Sequence, residues 1–150
     1  MIVKIITVGG KNNHEIASLI TTYEKRYPKH ISIQWHYIKH GPAQDALASK
    51  QQESESIIKA LPLNGPVILL DERGKSLNNE SLAEKIFSDS TDISIVIGGA
   101  HGVNHDVMKR ATFAWSLSDL VFPHQLVRLI LAEQLYRSYT ISIGHPYHHS

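Results

Sequence analysis

The chain has 150 residues, of which 42% are hydrophobic and 19% charged, and its formal net charge is +1 with histidines neutral. This length suits one domain with a single core. The small net charge argues against a protein that binds nucleic acid through a broad basic surface. The absence of cysteine excludes disulfides, thiolate nucleophiles and cysteine-ligated metals. No apolar run approaches the roughly 20 residues that span a bilayer. The first residues also lack the layout of a signal peptide, so we expect a cytoplasmic protein.

The first part of the chain alternates predicted strands with predicted helices. Residues 2–8 form an apolar run that predicts a strand, and residues 14–27 carry apolar side chains at helical spacing. Residues 31–37 alternate apolar with polar side chains, which predicts a half-buried strand. Residues 43–60 predict a polar helix, whose serines, glutamines and acids indicate an exposed face rather than a site.

The same alternation continues through the middle of the chain. Residues 67–71 predict a third strand, 72–75 a turn, 76–87 a helix and 93–97 a strand buried on both faces. Strands that alternate with helices predict an α/β fold, with a parallel sheet in three layers. Asp71 lies at the strand end where α/β proteins often bind ligands, although a turn residue bonded to its own backbone is an equal alternative.

A glycine-rich segment follows the strand at residues 93–97. Residues 98–102 read Gly-Gly-Ala-His-Gly, and such glycines let a backbone turn tightly and let a ligand lie against bare peptide groups. By itself this is weak evidence, because many α/β proteins have such a loop. A short helix is predicted after the glycines, and residues 115–122 predict a further strand and loop. Pro123 is placed as the first residue of a long helix that ends near residue 140.

This last predicted helix is apolar almost all round. Residues 129–132 are four consecutive apolar residues, whereas a surface helix of a monomer shows one apolar stripe. We therefore expect the helix to pack against its own sheet and against a second copy of the chain. His124 and Arg128 are four residues apart and share a face. Arg128 and Arg137 are nine apart and point in opposite directions, so one can serve its own pocket while the other reaches the partner's.

Four segments in the last third of the chain carry a family resemblance. IGGAHG, WSLSDLVFPHQLVR, LAEQLYRSYTI and HPYH, in this order and at this spacing, closely resemble the small bacterial 23S rRNA (pseudouridine-N3)-methyltransferases of the SPOUT superfamily. MIVKIITVGG, YEKRYPK and VILLDERGK extend the resemblance, more loosely, over the whole chain. It implies a SPOUT fold with a C-terminal trefoil knot, a homodimer, and S-adenosylmethionine as cofactor. It also implies methylation of N3 of a pseudouridine in helix 69 of 23S rRNA, within the assembled 70S ribosome.

The resemblance also implies where the cofactor and the acceptor bind. Arg128, Arg137, Tyr147 and His148 belong to the acceptor side, where an aromatic ring can stack on an RNA base, a cation favours the deprotonated imide, and a histidine can accept the proton. The cofactor residues fall in three segments: Leu70; Gly98, Gly99 and Gly102; and Leu117, Ser118, Asp119, Leu120, Val121 and Phe122.

Two positions depart from the family pattern. His149 stands where many relatives carry Arg or Lys, which weakens contact with phosphate or base at neutral pH. His101 stands where relatives often carry Glu or Asn.

Two alternatives belong to other functional classes. The first is a non-catalytic knotted dimer that binds ribosomes and has lost methyl transfer. The second is a histidine-rich metal site, because His101 and His105 are four residues apart and His145, His148 and His149 lie in the tail. No acid or cysteine joins these histidines in a recognised spacing, so our prediction includes no metal.

Overall fold

The computed structural model describes residues 1–148. Five strands alternate with five helices within this range, as the sequence predicts. In chain order they are β1 (Ile2–Val8), α1 (His14–Glu24), β2 (Ser32–Ile38), α2 (Ala46–Ala60), β3 (Val67–Ser76), α3 (Asn79–Phe87), β4 (Ile93–Ile97), α4 (His105–Arg110), β5 (Phe113–Ser116) and α5 (His124–Ser142).

The strands form one parallel sheet in the order β2-β1-β4-β3-β5. Alternate side chains of a strand point to opposite faces of the sheet, so each buried strand contributes side chains to two hydrophobic cores. Ile5 and Ile95 pack with α3 and α5 on one face, where α1 also contacts α5. Ile6 and Val96 pack with α2 and α4 on the other face. The predicted three-layer α/β architecture is therefore confirmed.

Local sequence explains where most of the helices begin. Asn13, Asp45, Asn78 and Asn104 precede α1 to α4, and each side chain accepts a hydrogen bond from a backbone N–H in the first turn. Pro123 precedes α5 without a side-chain cap, so it is the residue before the helix and not its first helical residue.

The predicted turn at residues 72–75 is wrong. β3 continues to Ser76, and both Leu70 and Lys75 pair with Trp115 of β5, so the residues between them form a bulge. Gly74 permits this close approach, because a Cβ there would lie 2.6 Å from the carbonyl carbon of Ala114. The pairing involves residues about 40 positions apart in sequence, which turn-forming residues alone do not reveal.

Several predicted boundaries also move. α1 ends at Glu24 and not at residue 27, α2 begins at Ala46 and not at residue 43, and β5 occupies Phe113–Ser116, so residues 117–122 are loop. None of the helices within residues 1–148 is both long and apolar enough to cross a membrane. The trefoil knot and the single-domain organisation stay predictions.

Candidate functional site

A cleft of about 510 Å³ opens at the carboxyl edge of β3, β4 and β5. Parallel α/β sheets commonly bind ligands at this edge, and the volume lies within the range of about 300–1,000 Å³ typical of small-molecule sites. Three chain segments form most of its wall: residues 69–73 within β3, residues 97–103 from the end of β4 onward, and residues 115–122 from the end of β5 into the loop after it.

The structure brings most of the predicted cofactor residues together in this cleft. Its lining includes His101, one of the two departures from the family pattern, and it does not include Asp119. The predicted residues that line it are Leu70, Gly98, Gly99, Gly102, Leu117, Ser118, Leu120, Val121 and Phe122.

Glycine is required at two positions of the loop that runs from residue 98 to 102. Gly102 has φ +73°, a backbone conformation that other residues rarely adopt. Gly99 lies directly against the carboxylate of Glu53, so that a Cβ at this position would overlap Oε2. The loop therefore presents backbone to the cleft on one side and meets a buried acid on the other.

His124, at the start of α5, contacts the backbone of this loop through its side chain. Its Nε2 lies 3.0 Å from the carbonyl oxygen of Gly98. Burial lowers the pKa of this histidine, and the bond to Gly98 opposes that effect only in part. We therefore assign a neutral imidazole that carries its proton on Nε2 and donates it to the carbonyl.

Glu53 of α2 supports the same loop. It is 3% exposed, and its Oε1 accepts hydrogen bonds from the Gly41 N–H and the Ser49 hydroxyl, each at 3.0 Å. Its Oε2 has no hydrogen-bond partner among the described residues. A carboxylate oxygen that is buried without a hydrogen-bond partner lowers the free energy of unfolding.

Opposite charges line the rim of the cleft. Asp71 accepts hydrogen bonds from the backbone N–H, Nε and Nη2 of Arg73 at 2.8–2.9 Å. Those side-chain bonds hold the pKa of the Asp71 carboxyl below its usual value. Asp71 thus accepts a bond from its own stretch of backbone, as one alternative predicts, and also lines the cleft, while a contact with a ligand stays a prediction.

Arg128 is placed away from the cleft, beneath the end of β1. It is 1% exposed and does not line the cleft. Its guanidinium donates to Thr7 Oγ1, Asn12 Oδ1 and the carbonyl oxygens of Val8 and Gly10, at distances of 2.7–3.1 Å. Every one of these acceptors belongs to the protein, so the arginine joins α5 to β1 and the loop after it.

Of the other predicted acceptor residues, Arg137 and Tyr147 bond to Glu133 of α5, and His148 contacts Arg137. Arg137 donates to Glu133 Oε1 through Nε and Nη2, and the Tyr147 hydroxyl donates to the same oxygen at 3.2 Å. His148 Nδ1 lies 3.2 Å from Arg137 Nη1, and His148 Nε2 lies 3.3 Å from Glu80 Oε1. We call Arg137, Tyr147 and His148 the tail cluster.

Electrostatics limit what Tyr147 can do. Burial, followed by the charge of Glu133, raises the pKa of Tyr147 to about 12. The phenol is therefore neutral near pH 7 and acts as a hydrogen-bond donor or a stacking surface, not as a base.

The tail cluster and the cleft lie at different positions along α5. Val127 lines the cleft, whereas Arg137 follows ten residues later, about 15 Å along the helix axis. No member of the tail cluster lines the cleft. Within one chain the two groups of predicted residues are thus held apart by the same helix.

The histidines do not assemble a metal site in the part of the chain that the structure describes. Within residues 1–148, no three His, Asp or Glu side chains are arranged to hold an ion. His148 instead contacts Arg137 and Glu80, and His149 lies outside the described residues.

Sequence reasoning missed two acidic residues that organise these sites. The polar composition of residues 43–60 predicts an exposed face for the acids of this helix. Glu53 nevertheless shares a helical spacing of four with buried Ser49 and Ile57, and this periodicity is the available signal. Glu133 precedes Arg137 by four residues, a favourable ion-pair spacing, but nothing in the sequence alone linked it to Tyr147.

Comparison with known proteins identifies the family of this chain and agrees with its fold. A family model described as "Predicted SPOUT methyltransferase" matches residues 1–148, and the chain therefore belongs to the SPOUT methyltransferase family. Proteins named "Ribosomal RNA large subunit methyltransferase H" from Acetivibrio thermocellus and Paraburkholderia phymatum are 37% and 39% identical to it. These alignments cover 99% and 96%, respectively, of both chains.

One solved structure supports the fold. It is that of a probable methylase family protein from Haemophilus influenzae, with a TM-score of 0.57 and 13% sequence identity. The match covers 99% of this chain and 70% of that one.

Proposed function

We propose that this protein uses S-adenosylmethionine to methylate N3 of a pseudouridine in helix 69 of 23S rRNA, within the assembled 70S ribosome in the cytoplasm. The observation that carries the proposal is the cleft at the carboxyl edge of the sheet, whose walls are the segments that resemble the family's cofactor loops. The names of the relatives support a large-subunit rRNA substrate.

The cleft suits a nucleoside-sized cofactor that supplies a methyl group on a sulfonium. Leu117, Leu120 and Phe122 offer apolar surface for an aromatic base, while the backbone groups of residues 117–122 can hydrogen-bond its edge. Glycines at positions 98, 99 and 102 allow the ligand to approach the peptide chain closely. Fixing both reactants in position is the main task of such an enzyme, because the sulfonium needs no acid to depart.

The tail cluster provides the groups that the acceptor requires. N3 of pseudouridine must lose a proton before it attacks, and the nearby Arg137 guanidinium favours that deprotonated form. The guanidinium can only donate, so the contact at 3.2 Å makes His148 Nδ1 the acceptor and leaves the ring proton on Nε2, facing Glu80. His148 can accept the imide proton on Nδ1 once the substrate displaces Arg137 from it.

A homodimer would unite the two groups of residues. Because α5 separates the tail cluster from the cleft of its own chain, we assign the cluster to the partner's cleft. Leu126 of α5 and Ile143, the residue directly after this helix, are 37% and 54% exposed, and they offer apolar surface to a second copy. This pairing can be tested with mixed dimers of a cleft-filling variant, Leu117→Trp, and the tail variant His148→Ala.

In such a mixed dimer, one site receives both lesions and the other receives neither. We expect each homodimeric variant to be inactive and the mixed dimer to recover about half of the unmodified activity, as two-fold symmetry requires. An inactive mixed dimer would show that cleft and tail act within one chain.

The function itself is tested by transfer of labelled methyl from S-adenosylmethionine to ribosomes that lack the modification. Intact 70S particles, isolated large subunits and bare rRNA are compared, and the labelled nucleotide is mapped. We expect label in helix 69 with 70S particles alone, and little label with Arg137→Ala or His148→Ala. Cofactor binding without label on any substrate would favour the non-catalytic ribosome-binding alternative, and absence of cofactor binding would reject the methyltransferase.

A further inference from the structure

We infer that Glu53 is a specificity-determining residue for the cofactor, making the cleft prefer cationic S-adenosylmethionine over its demethylated product. The inference rests on the proposed function, because it assumes that the cleft binds this cofactor. It assigns a role to a buried acid that does not line the cleft but lies against Gly99, which does.

The position of Glu53 is set by its own surroundings. Two protein donors, the Gly41 N–H and the Ser49 hydroxyl, orient Oε1, and this leaves Oε2 against the back of Gly99. Oε2 is buried without a hydrogen-bond partner among the described residues. The carboxylate therefore directs an uncompensated oxygen toward the loop that forms the cleft wall.

Nearby cations leave the Glu53 charge largely uncompensated. His40 Nδ1 is 3.7 Å from Oε1, but the His40 side chain is 67% exposed to solvent. His124 is directed to the Gly98 carbonyl, and Arg128 is engaged by its four acceptors. The charged side chains that line the cleft are two cations and two anions, Lys50, Arg73, Asp71 and Glu72, so their formal charges cancel.

The uncompensated negative charge of Glu53, close to the cleft, interacts electrostatically with the charge of the bound ligand. Methyl transfer moves the methyl carbon from sulfur to N3, the S–C electron pair stays on sulfur, and the sulfonium becomes a neutral thioether. The N3 proton passes to the base. A fixed carboxylate in a low-dielectric interior attracts the ligand before transfer more strongly than after it. Glu53 would thus favour binding of the reactant and release of the product.

The test compares dissociation constants for S-adenosylmethionine and S-adenosylhomocysteine by calorimetry. We expect Glu53→Gln to reduce the preference for the methylated ligand about tenfold, equivalent to about 1.4 kcal/mol, with most of the loss in S-adenosylmethionine affinity. Glu53→Asp retains the charge and should restore most of the preference. Glu55→Gln removes an exposed acid from the same helix and should leave the preference unchanged.

Equal weakening of both ligands by Glu53→Gln would make Glu53 a structural support only and would overturn the inference, as would no change in either affinity. Failure of the unmodified chain to bind either ligand would instead reject the proposed function itself.

A measurement on the unmodified chain covers the case in which Glu53→Gln does not fold. The preference should persist in about 1 M salt, where the Debye length is about 3 Å and exposed charges are screened much more than buried ones. A preference that disappears in salt would assign it to exposed Glu72 and overturn the inference.

Discussion

Arg137 and Glu133 lie one turn apart on α5, and Nη2 of the arginine donates to Oε1 of the glutamate at 2.6 Å. The same oxygen accepts the Tyr147 hydroxyl at 3.2 Å, so one carboxylate positions two of the three tail-cluster residues. Both partners are partly exposed, at 26% for the Arg137 side chain and 20% for that of Glu133. The pair therefore contributes little to stability, but it orients two groups of the proposed acceptor site.

Glu133→Gln should slow methyl transfer while leaving cofactor binding intact. The neutral amide weakens the charge-assisted bonds to Arg137 and Tyr147, and we expect kcat to fall about tenfold, the equivalent of about 1.4 kcal/mol. Glu133 does not line the cleft, so the dissociation constant of the cofactor should stay within about twofold. Glu84→Gln, at an exposed position of α3, is the matched control. A variant with unchanged kcat would deny Glu133 this positioning role.

Tyr147 should ionise well above the ordinary tyrosine pKa of about 10. Its pKa of about 12 predicts that the 295 nm absorbance lost in Tyr147→Phe titrates near pH 12. Because the folded pKa exceeds the unfolded one, the stability from this group is complete below about pH 10 and is lost as the pH rises toward 12. The urea unfolding free energy of Tyr147→Phe should accordingly fall less steeply over this range. A difference spectrum centred near pH 10 would contradict the burial of Tyr147 beside Glu133.

His124 should make the protein less stable in mild acid. Its pKa is lowered in the folded state by burial, so the folded chain takes up this proton less readily than the unfolded chain. The associated stability is complete above the unfolded pKa of about 6.5 and is lost as the pH falls below it. His124→Gln keeps an amide N–H near the Nε2 position without titrating.

Urea unfolding of both chains at pH values from about 5 to 8 measures this effect, since the other histidines are common to both. The stability of His124→Gln relative to the unmodified chain should increase as the pH falls. If the unfolding free energies of the two chains change in parallel with pH, protonation of His124 does not destabilise the protein.

Arg128 should be a stability determinant. Arg128→Met removes the donor from Thr7, Val8, Gly10 and Asn12, and we expect about 3 kcal/mol or more to be lost from the free energy of unfolding. Arg128→Lys retains the charge but fewer donors and should lose less. Chemical denaturation measures the free energy of unfolding of both variants. Arg110→Met is the control, because the bonds of Arg110 to the Gly65 and Pro62 carbonyls are exposed.

The acceptor role predicted for Arg128 can be separated from this structural one. A stable Arg128→Lys protein that binds cofactor and fails only in methyl transfer would favour direct contact with the RNA. Loss of stability in proportion to loss of activity would favour the structural role.

Local patterns determined much of the fold. The buried run 93–97 is short and rich in β-branched residues, and residues 31–37 alternate with a period of two, which are both patterns typical of strands. Asparagine or aspartate caps begin four of the helices. The turn predicted at residues 72–75 failed because the pairing of Lys75 with Trp115 depends on a distant strand. Burial of Glu53 was missed because α2 is polar in composition and its buried face is narrow.

By itself the sequence determined the strand and helix order, because that order depends on short-range periodicity. Its motifs, whose order is readable along the chain, also supplied the prediction of the cofactor segments and of the tail residues. Only the tertiary structure decided which distant groups meet. Arg128 bonds to acceptors about 120 residues away on β1. Glu53 of α2 lies against Gly99 of the loop after β4. α5 holds the tail cluster apart from the cleft. Such contacts are set by packing between elements, and neither the polarity nor the spacing of nearby residues encodes them.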